Sequence, residues 1–125
     1  MDLTEIVATQ FDAAPFWEAA RDGRLVVARC TACGLAHHYP RQFCPFCRAD
    51  AVEMTEASGR GTIYSLSVSD RGETRHVLAY VTLAEGPTMM TRIVDAPADI
   101  AIGDAVTVDF QTREDGMAVP VFRKE

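Results

Sequence analysis

Apolar and polar residues alternate after Gly59 in five short runs that are separated by turn residues. The runs are TIYSLSV, HVLAYVTL, TMMTRIV, AVTVDF and AVPVF, and the turn segments between them are SDRGE, AEGP, DAPAD, IGD and EDG. Each run has the length and the β-branched or aromatic content of a strand. Five strands in about 65 residues predict an all-β barrel, either an SH3-like barrel or an OB-fold.

Two of these runs indicate which side chains should face the barrel interior. Successive residues of a strand point to opposite faces, so every second residue shares a face. The apolar residues of the predicted inner face are Val77, Ala79, Val81, Leu83, Val106, Val108 and Phe110. Asp115 and Gly116 are the kind of pair that turns a hairpin, which would join the last two strands.

A short amphipathic helix is predicted before residue 24. Asp12 is placed to cap it, Pro15 lies in its first turn, and Gly23 follows as a stop signal. One apolar stripe at helical spacing contains Ala13, Phe16, Trp17 and Ala20. This stripe either packs on the protein's own core or docks on a partner subunit, and the pattern leaves both possibilities open.

All four cysteines lie in one stretch, RCTACGLAHHYPRQFCPFC. Cys30 and Cys33 form one C-x-x-C pair, and Cys44 and Cys47 form a second pair after ten intervening residues. Two such tight turns can direct four thiolates at a single ion, which predicts a structural zinc site. A rubredoxin-type iron site and a dithiol redox pair are the alternatives. A catalytic zinc is not expected, because four cysteine ligands leave no open coordination position.

Residues near the cysteines refine this picture. LVVAR and HHYPR on either side of the first pair indicate short strands. Gly34 suits the left-handed position that closes the first turn, whereas Arg48 stands where the second turn would have glycine, so strain is expected there. His37 and His38 could replace a cysteine ligand, but with four thiolates present we expect them to be solvated.

Composition and charge limit the possible functions of the 125-residue chain. It is 48% apolar and carries a formal net charge of −6, with mean hydropathy near zero, as globular domains do. No apolar run is long enough to span a bilayer, and the N-terminal MDLTEIVATQFD is acidic, so we expect a cytoplasmic protein without membrane contact. The negative charge also opposes an extended surface for nucleic acid.

The rest of the sequence contains few candidate sites. No G-x-S-x-G, P-loop or H-E-x-x-H motif is present. The segment from Gly59 to Gly61 is either a phosphate-binding turn or simply the entry to the first barrel strand. His76 is expected on the strand surface. Met89 and Met90 are expected to fill the core, with a thioether-lined slot for an acyl chain as the alternative.

Several of these segments, taken in order, carry a resemblance. FWEAARDGRLVVARCTACG, YPRQFCPFC, SGRGTIYSLSV, LAEGP, IGDAVTVDF and VPVFR resemble a family of zinc-ribbon/OB-fold proteins, a domain-of-unknown-function family associated with acyl-CoA metabolism. The resemblance covers residues 11–123. It implies a mainly β chain with an N-terminal helical segment at 1–24, a rubredoxin-like zinc ribbon at 25–55 and a five-stranded OB-fold at 56–125. The implied zinc ligands are Cys30, Cys33, Cys44 and Cys47.

The same resemblance implies a function. Members are similar to non-catalytic accessory subunits that pair with thiolase-fold enzymes such as thiolases, acyltransferases and lipid-transfer-protein-like aldolases, so a hetero-oligomer is expected. The OB-fold is expected to bind acyl-CoA, and the expected CoA contacts are Gly59, Arg60, Gly61 and Tyr64. The expected partner contacts are Phe16 and Trp17. Arg48 and Met54 depart from the family pattern without removing a ligand.

A function of a different class is also compatible with the two modules. Zinc ribbons and OB-folds both bind single-stranded nucleic acid, and an exposed tyrosine such as Tyr64 could stack on a base. The net charge of −6 opposes this alternative, and we therefore expect no nucleic-acid partner.

Overall fold

The computed structural model describes residue 5 and residues 9–125. The remaining positions of the predicted N-terminal helical segment, 1–4 and 6–8, lie outside the described residues. From residue 10 onward the described chain is mainly β. It contains a 3-10 turn at Phe11–Ala13, one α-helix, α1 (Ala14–Arg21), and the strands β1 (Val26–Cys30), β2 (Ala36–His37), β3 (Val52–Glu56), β4 (Arg60–Arg71), β5 (Thr74–Leu83), β6 (Thr88–Arg92), β7 (Ala105–Thr112) and β8 (Ala118–Lys124).

Helix α1 follows the predicted position but not the predicted cap. Asp12 lies inside the 3-10 turn, and the residue before the helix is Ala13, which makes no side-chain capping hydrogen bond. Pro15 lies in the first turn and Gly23 adopts φ +76° just past the end, as expected for a stop signal. None of the described helices is long and apolar enough to cross a membrane.

The first sheet contains three antiparallel strands in the order β2, β1, β3. Strand β1 was expected from LVVAR, whereas HHYPR contributes only its first residue, His37, to the two-residue β2. Strand β3 was not expected at all. Its sequence, VEMTE, is short and rich in charge, and it becomes a strand because β1 offers a free edge, with Val26 opposite Glu56 and Cys30 opposite Val52.

The second sheet contains all five predicted runs, in the order β6, β5, β4, β7, β8. Neighbouring strands are antiparallel, and β4 carries a bulge between Ile63 and Ser65 that bends it around the barrel. A parallel bridge between Ile93 and Phe122 brings β8 beside β6. The five strands therefore form a nearly closed barrel of the OB type.

One apolar core joins the helix, the base of the ribbon and the barrel. Phe16 of α1 and Val27 of β1 belong to the same buried cluster as Val81 and Phe122 of the barrel. The predicted inner face of β5 is confirmed, because Val77, Ala79, Val81 and Leu83 are all buried. On β7, Val106 is fully buried, while Val108 and Phe110 are partly buried against the core.

The prediction that Met89 and Met90 both fill the core holds for Met89 alone. Met89 is buried in the core, but Met90 is 62% exposed. Adjacent residues of a strand point to opposite faces, so only one of the two methionines can face the interior. Met90 lies on the outer surface of β6.

Candidate metal centre and binding surfaces

The four cysteine sulfur atoms form one compact cluster, and all of them lie within 4.8 Å of one another. The Sγ atoms of Cys30 and Cys47 are 3.6 Å apart, and those of Cys33 and Cys44 are 3.7 Å apart. Zn–S bonds of about 2.3 Å in a tetrahedron place neighbouring sulfurs about 3.8 Å apart. The donor set and its spacing therefore fit a structural zinc ion bound by four thiolates.

The first turn of the cluster begins where β1 ends. The N–H of Gly34 donates to the carbonyl of Cys30 at 2.8 Å, and the N–H of Cys30 donates to the carbonyl of Leu35 at 3.0 Å. Gly34 has φ +78°, the left-handed conformation that glycine adopts without strain. The turn holds the Cys30 and Cys33 thiols on the same side of the chain.

The second turn repeats this pattern with a different residue at the critical position. The N–H of Arg48 donates to the carbonyl of Cys44 at 2.9 Å, and Arg48 has φ +67°. A left-handed conformation costs a non-glycine residue about 1–2 kcal/mol, so the strain expected from the sequence is present. The hydrogen bonds of the turn and the metal site hold the arginine there.

Backbone N–H groups and burial act in opposite directions on these thiols. Burial raises the pKa of Cys44, but hydrogen bonds from the backbone of Cys47 and Phe46 outweigh it and lower the pKa to about 7. The backbone N–H of Ala49 lowers the pKa of Cys47, yet hydrogen bonding with Cys30 and burial raise it to about 12. Without a cation the cluster retains protons, and binding of a divalent cation as four thiolates releases them.

His37 and His38 lie beside the cluster without joining it, and the expectation that both are solvated is wrong. His37 is only 8% exposed, and neither ring nitrogen has a hydrogen-bond partner among the described residues. His38 packs edge-on against Phe16, with ring centroids 5.2 Å apart. Burial, and secondarily the charge of His37, lowers the pKa of His38 to about 4. Burial of His38 involves Phe16 of helix α1, and local sequence does not reveal such a contact.

The two residues predicted to dock a partner are differently placed. Phe16 is buried in the protein's own core, in agreement with the first interpretation of the helical stripe. Trp17 is half-buried beside it, with ring centroids 5.0 Å apart, and its buried indole N–H has no partner in the described part of the chain. A partner contact through these residues stays a prediction, and only Trp17 has side-chain surface available for it.

The ribbon also exposes apolar side chains that were not among the predicted contacts. Leu35, Phe43 and Phe46 lie in or beside the two cysteine turns, and each is more than half exposed. The sequence contained a signal for this exposure. The four cysteines fill the interior of the two turns, so large apolar residues in the same stretch have no core to enter. These three residues are called the ribbon tip below.

Packing explains both glycines of the segment predicted to bind CoA. A Cβ atom on Gly59 or Gly61 would lie 2.5 Å from a methyl group of Val108 or Val81, respectively. The backbone N–H of Arg60 donates to the hydroxyl of Ser58 at 3.2 Å. The segment is the entry to β4, and Arg60 is its exposed side chain. CoA binding here stays a prediction, and the glycines do not support it.

The outer face of the barrel carries an apolar patch that sequence reasoning did not identify. Tyr64, Leu78, Tyr80 and Met90 are exposed on the adjacent strands β4, β5 and β6. Tyr64, one of the predicted CoA contacts, lies within this patch at the bulge of β4. His76 is exposed on β5, as expected.

Comparison with protein families matches the two parts of the chain separately. Residues 17–53 match the rubredoxin-like zinc ribbon domain of ChsH2, and residues 54–111 match the C-terminal OB-fold domain of ChsH2. Together these matches include the four cysteines and most of the barrel.

Three relatives are similar in sequence over most of this chain. A protein of Thermomonospora curvata, named as a probable enoyl-CoA hydratase alpha subunit, is 38% identical over 115 residues, and the chain spans 36% of its length. DUF35 domain-containing scaffold proteins of Methanocaldococcus jannaschii and Methanothermobacter thermautotrophicus are 34% and 36% identical, and the chain spans 72% and 76% of their lengths.

Two solved structures are similar in fold. A chain of the Ltp2-ChsH2(DUF35) aldolase superposes with a TM-score of 0.79 and 37% identity, covering 90% of this chain and 94% of that chain. A DUF35-family protein of unknown function from Sulfolobus solfataricus superposes with a TM-score of 0.67, covering 99% of this chain and 95% of that chain. At 12% identity the second comparison shows a shared fold alone.

Proposed function

We propose that this chain, which belongs to the DUF35 family of zinc-ribbon and OB-fold proteins, is a non-catalytic accessory subunit that scaffolds a thiolase-fold enzyme and binds acyl-CoA through its barrel. The observation that carries the proposal is the similarity to a chain of the Ltp2-ChsH2(DUF35) aldolase. This similarity extends over 90% of the chain at 37% identity. The scaffold name of the two archaeal relatives supports the same role.

The metal centre has a structural role in this proposal. Four thiolates fill the tetrahedral coordination of zinc, so the ion has no position left for water or substrate. The zinc holds the two cysteine turns together and thereby fixes the position of the ribbon tip. The site contributes to partner binding through the surface that it organises.

The ribbon tip and Trp17 are the proposed docking surface for the partner. Large apolar side chains that stand together on a surface are typical of protein–protein interfaces. Aromatic residues supply much of the energy of such contacts, because they bury a large area at a small cost in side-chain entropy. Phe43, Phe46 and Trp17 are the aromatic residues proposed to contribute in this way.

Acyl-CoA is the proposed ligand of the barrel. The Thermomonospora relative is named as a subunit of an enzyme that acts on an enoyl-CoA, which supports a CoA ester as the ligand class. The apolar patch on the outer face of β5 and β6 suits the hydrophobic part of such a molecule. Binding of acyl-CoA does not require the chain to perform chemistry on it.

Co-expression with a thiolase-fold protein encoded beside this chain tests the scaffold role. Native mass spectrometry should detect a hetero-oligomer with one zinc per copy of this chain, and the partner's activity should fall when the chain is omitted. The double variant Phe43→Ser/Phe46→Ser should weaken the complex while retaining zinc. A partner that is equally soluble, equally active and uncomplexed in the presence of the chain would refute the proposal.

A further inference from the structure

The barrel wall between β6 and β8 is incompletely closed. Among the described residues these strands share the single bridge between Ile93 and Phe122, and the hydroxyl of Thr91 donates to the carbonyl of Pro120 at 3.3 Å. Pro120 has no backbone N–H, so β8 cannot continue the ladder at this position. A depression therefore follows the seam between the two strands.

Three clefts meet along this seam and the outer face of β5. Their volumes are about 320, 250 and 240 Å³. Arg92 and Gln111 line both the first and the second cleft, and Leu78 and Met90 line both the second and the third. Because neighbouring clefts share lining residues, they adjoin in series, and together they are called the seam groove below.

One end of the seam groove carries positive charge. Arg75 and Arg92 line the first cleft, and the guanidinium of Arg75 donates to the carbonyls of Ala96 at 2.8 Å and Pro97 at 3.4 Å. These carbonyls orient the guanidinium without neutralising it. The carboxylate that lines the same cleft, Asp95, is already bound by Arg123.

The positive end continues into the second cleft. Arg113 lines that cleft together with Arg92, and its guanidinium lies 3.6 Å from the carboxylate of Asp115. The chain has a net charge of −6 and therefore repels anions in general. A local group of arginines can still attract an anion to this part of the surface. Arginine is also the side chain best suited to phosphate oxygens.

The other end of the seam groove is apolar. Leu78, Tyr80 and Met90 line the third cleft, and about half or more of each residue is exposed. Exposed apolar area of this kind is stabilised when a ligand covers it, and the flexible thioether of methionine adapts to chains of different shape.

We infer that the seam groove binds acyl-CoA in one orientation, with the phosphates beside Arg75 and Arg92 and the acyl chain over Leu78, Tyr80 and Met90. The inference rests on the proposed function, because it assigns a place and a direction to the ligand proposed there. A phosphorylated nucleotide alone would leave the apolar end uncovered, and a fatty acid would bring only a single carboxylate charge to a group of arginines. A molecule with phosphates at one end and an acyl chain at the other matches both.

Calorimetric titrations of the full zinc-loaded chain, alone and in complex with its co-expressed partner, test this orientation. The probes are CoA, octanoyl-CoA and pantetheine, which lacks the phosphates. Arg92→Gln should weaken CoA binding about tenfold, since it removes a charge-assisted contact, and should leave pantetheine binding unchanged. Met90→Gln should leave CoA binding near the wild-type value and reduce the advantage of octanoyl-CoA over CoA.

Two matched arginine variants separate the possible outcomes. Arg29→Gln, on the ribbon strand β1, should bind CoA as the wild type does. The second variant is Arg60→Gln, at the start of β4, a residue that does not line any of the three clefts. If Arg60→Gln weakens CoA binding and Arg92→Gln does not, the seam groove is the wrong site although the barrel binds CoA.

Failure of the wild-type chain and of its complex to bind either CoA or octanoyl-CoA would refute the ligand part of the proposed function, and the inference with it. OB-folds also bind oligonucleotides on the face formed by their second and third strands. If the chain and its complex bind no CoA, but bind a labelled oligonucleotide in a salt-dependent manner that Arg92→Gln weakens, the groove belongs to nucleic acid and the inference is overturned.

Discussion

The ribbon and the barrel of this chain reach a folded state by different physical means. In the barrel, large side chains such as Ile63, Val81 and Phe122 are fully buried, and five strands are hydrogen-bonded to their neighbours in one sheet. In the ribbon tip, Phe43 and Phe46 face outward, and the fully buried residues of the two turns are the cysteines Cys30 and Cys44. The apolar residues of the tip remain exposed because the cysteine cluster, and not a hydrophobic core, occupies the interior of the two turns.

The base of the ribbon does not follow this rule. Leu25, Val26 and Val27 belong to the core shared with the barrel, and Phe16 of α1 covers the same cluster. The two means of stabilisation are therefore divided along the ribbon itself. Metal binding organises the cysteine turns, and hydrophobic burial fixes the strands that carry them.

The largest effect is expected from removing one zinc ligand. Cys30→Ser should abolish stoichiometric zinc binding and unfold the two turns, because structural zinc sites contribute about 10–16 kcal/mol of apparent binding free energy. Metal analysis should show the loss of one equivalent of zinc, and NMR spectra should lose the dispersed ribbon signals while barrel signals persist.

Thr31→Ser is the matched control at the next residue. The Thr31 hydroxyl donates to the carbonyl of Ala51 at 3.1 Å, and serine keeps this hydroxyl. This control should retain zinc. Retention of a folded ribbon and a full partner complex in metal-free Cys30→Ser would contradict the structural role of the zinc.

A smaller but substantial effect is expected from the barrel core. Phe122→Ala should lower the free energy of unfolding by about 3–5 kcal/mol, because it leaves a cavity where a fully buried ring had packed. Denaturant titration measures the change, and zinc content should be unaffected. Phe46→Ala, at a ring that is 58% exposed, should change the free energy of unfolding by no more than about 0.5 kcal/mol. Equal losses in the two variants would remove the distinction between core and tip.

Acid should act on the junction between helix and ribbon. The pKa of His38 is about 4 in the folded chain and near 6.5 in the unfolded chain, so the unfolded chain takes up a proton first as the pH falls. The contribution of neutral His38 to stability is complete above pH 6.5 and is lost between pH 6.5 and 4, with a total on the order of 3 kcal/mol.

The variant His38→Gln isolates this contribution. Its free energy of unfolding should fall less steeply between pH 6.5 and 5 than that of the wild type, in a range where zinc content is monitored in parallel. Parallel pH profiles for the two proteins would show that burial of His38 has no energetic consequence.

The smallest effect is expected at the strained turn. Arg48→Gly should raise the free energy of unfolding by about 1 kcal/mol, because glycine adopts the left-handed conformation without the side-chain clash. Gly34→Ala should have the opposite sign, at a position with φ +78° and no steric obstacle to a Cβ atom. Zinc affinity measured by competition with a chelator should follow the same signs. A loss of stability in Arg48→Gly would mean that the arginine side chain compensates for its strained backbone.

Local pattern predicted a large part of this molecule. The spacing of Cys30, Cys33, Cys44 and Cys47 predicted one metal cluster, and Gly34 marked the closure of its first turn. All five barrel runs became strands, because alternation and turn residues act over a few neighbouring positions. The division of the chain at residue 55, the CoA contacts and the partner contacts remain predictions.

Two of the errors share a cause. Strand β3 forms because the edge of β1 is available, and His38 is buried because Phe16 packs on it. Both contacts join residues that are distant in sequence, so the pattern within about ten neighbouring residues does not predict them. The predicted burial of Met90 failed differently, since alternation itself excludes two adjacent inward methionines.

The sequence by itself determined the metal ligands, the strand runs and the strained position at Arg48, because each follows from residue type and spacing within one turn or strand. Only the tertiary structure decided which apolar residues remain on the surface and where the arginines meet them. The seam groove exists because β8 returns beside β6 and pairs with it at a single bridge. In that arrangement Arg92 lines one cleft with Arg75 and the neighbouring cleft with Arg113, although the three residues are far apart in sequence.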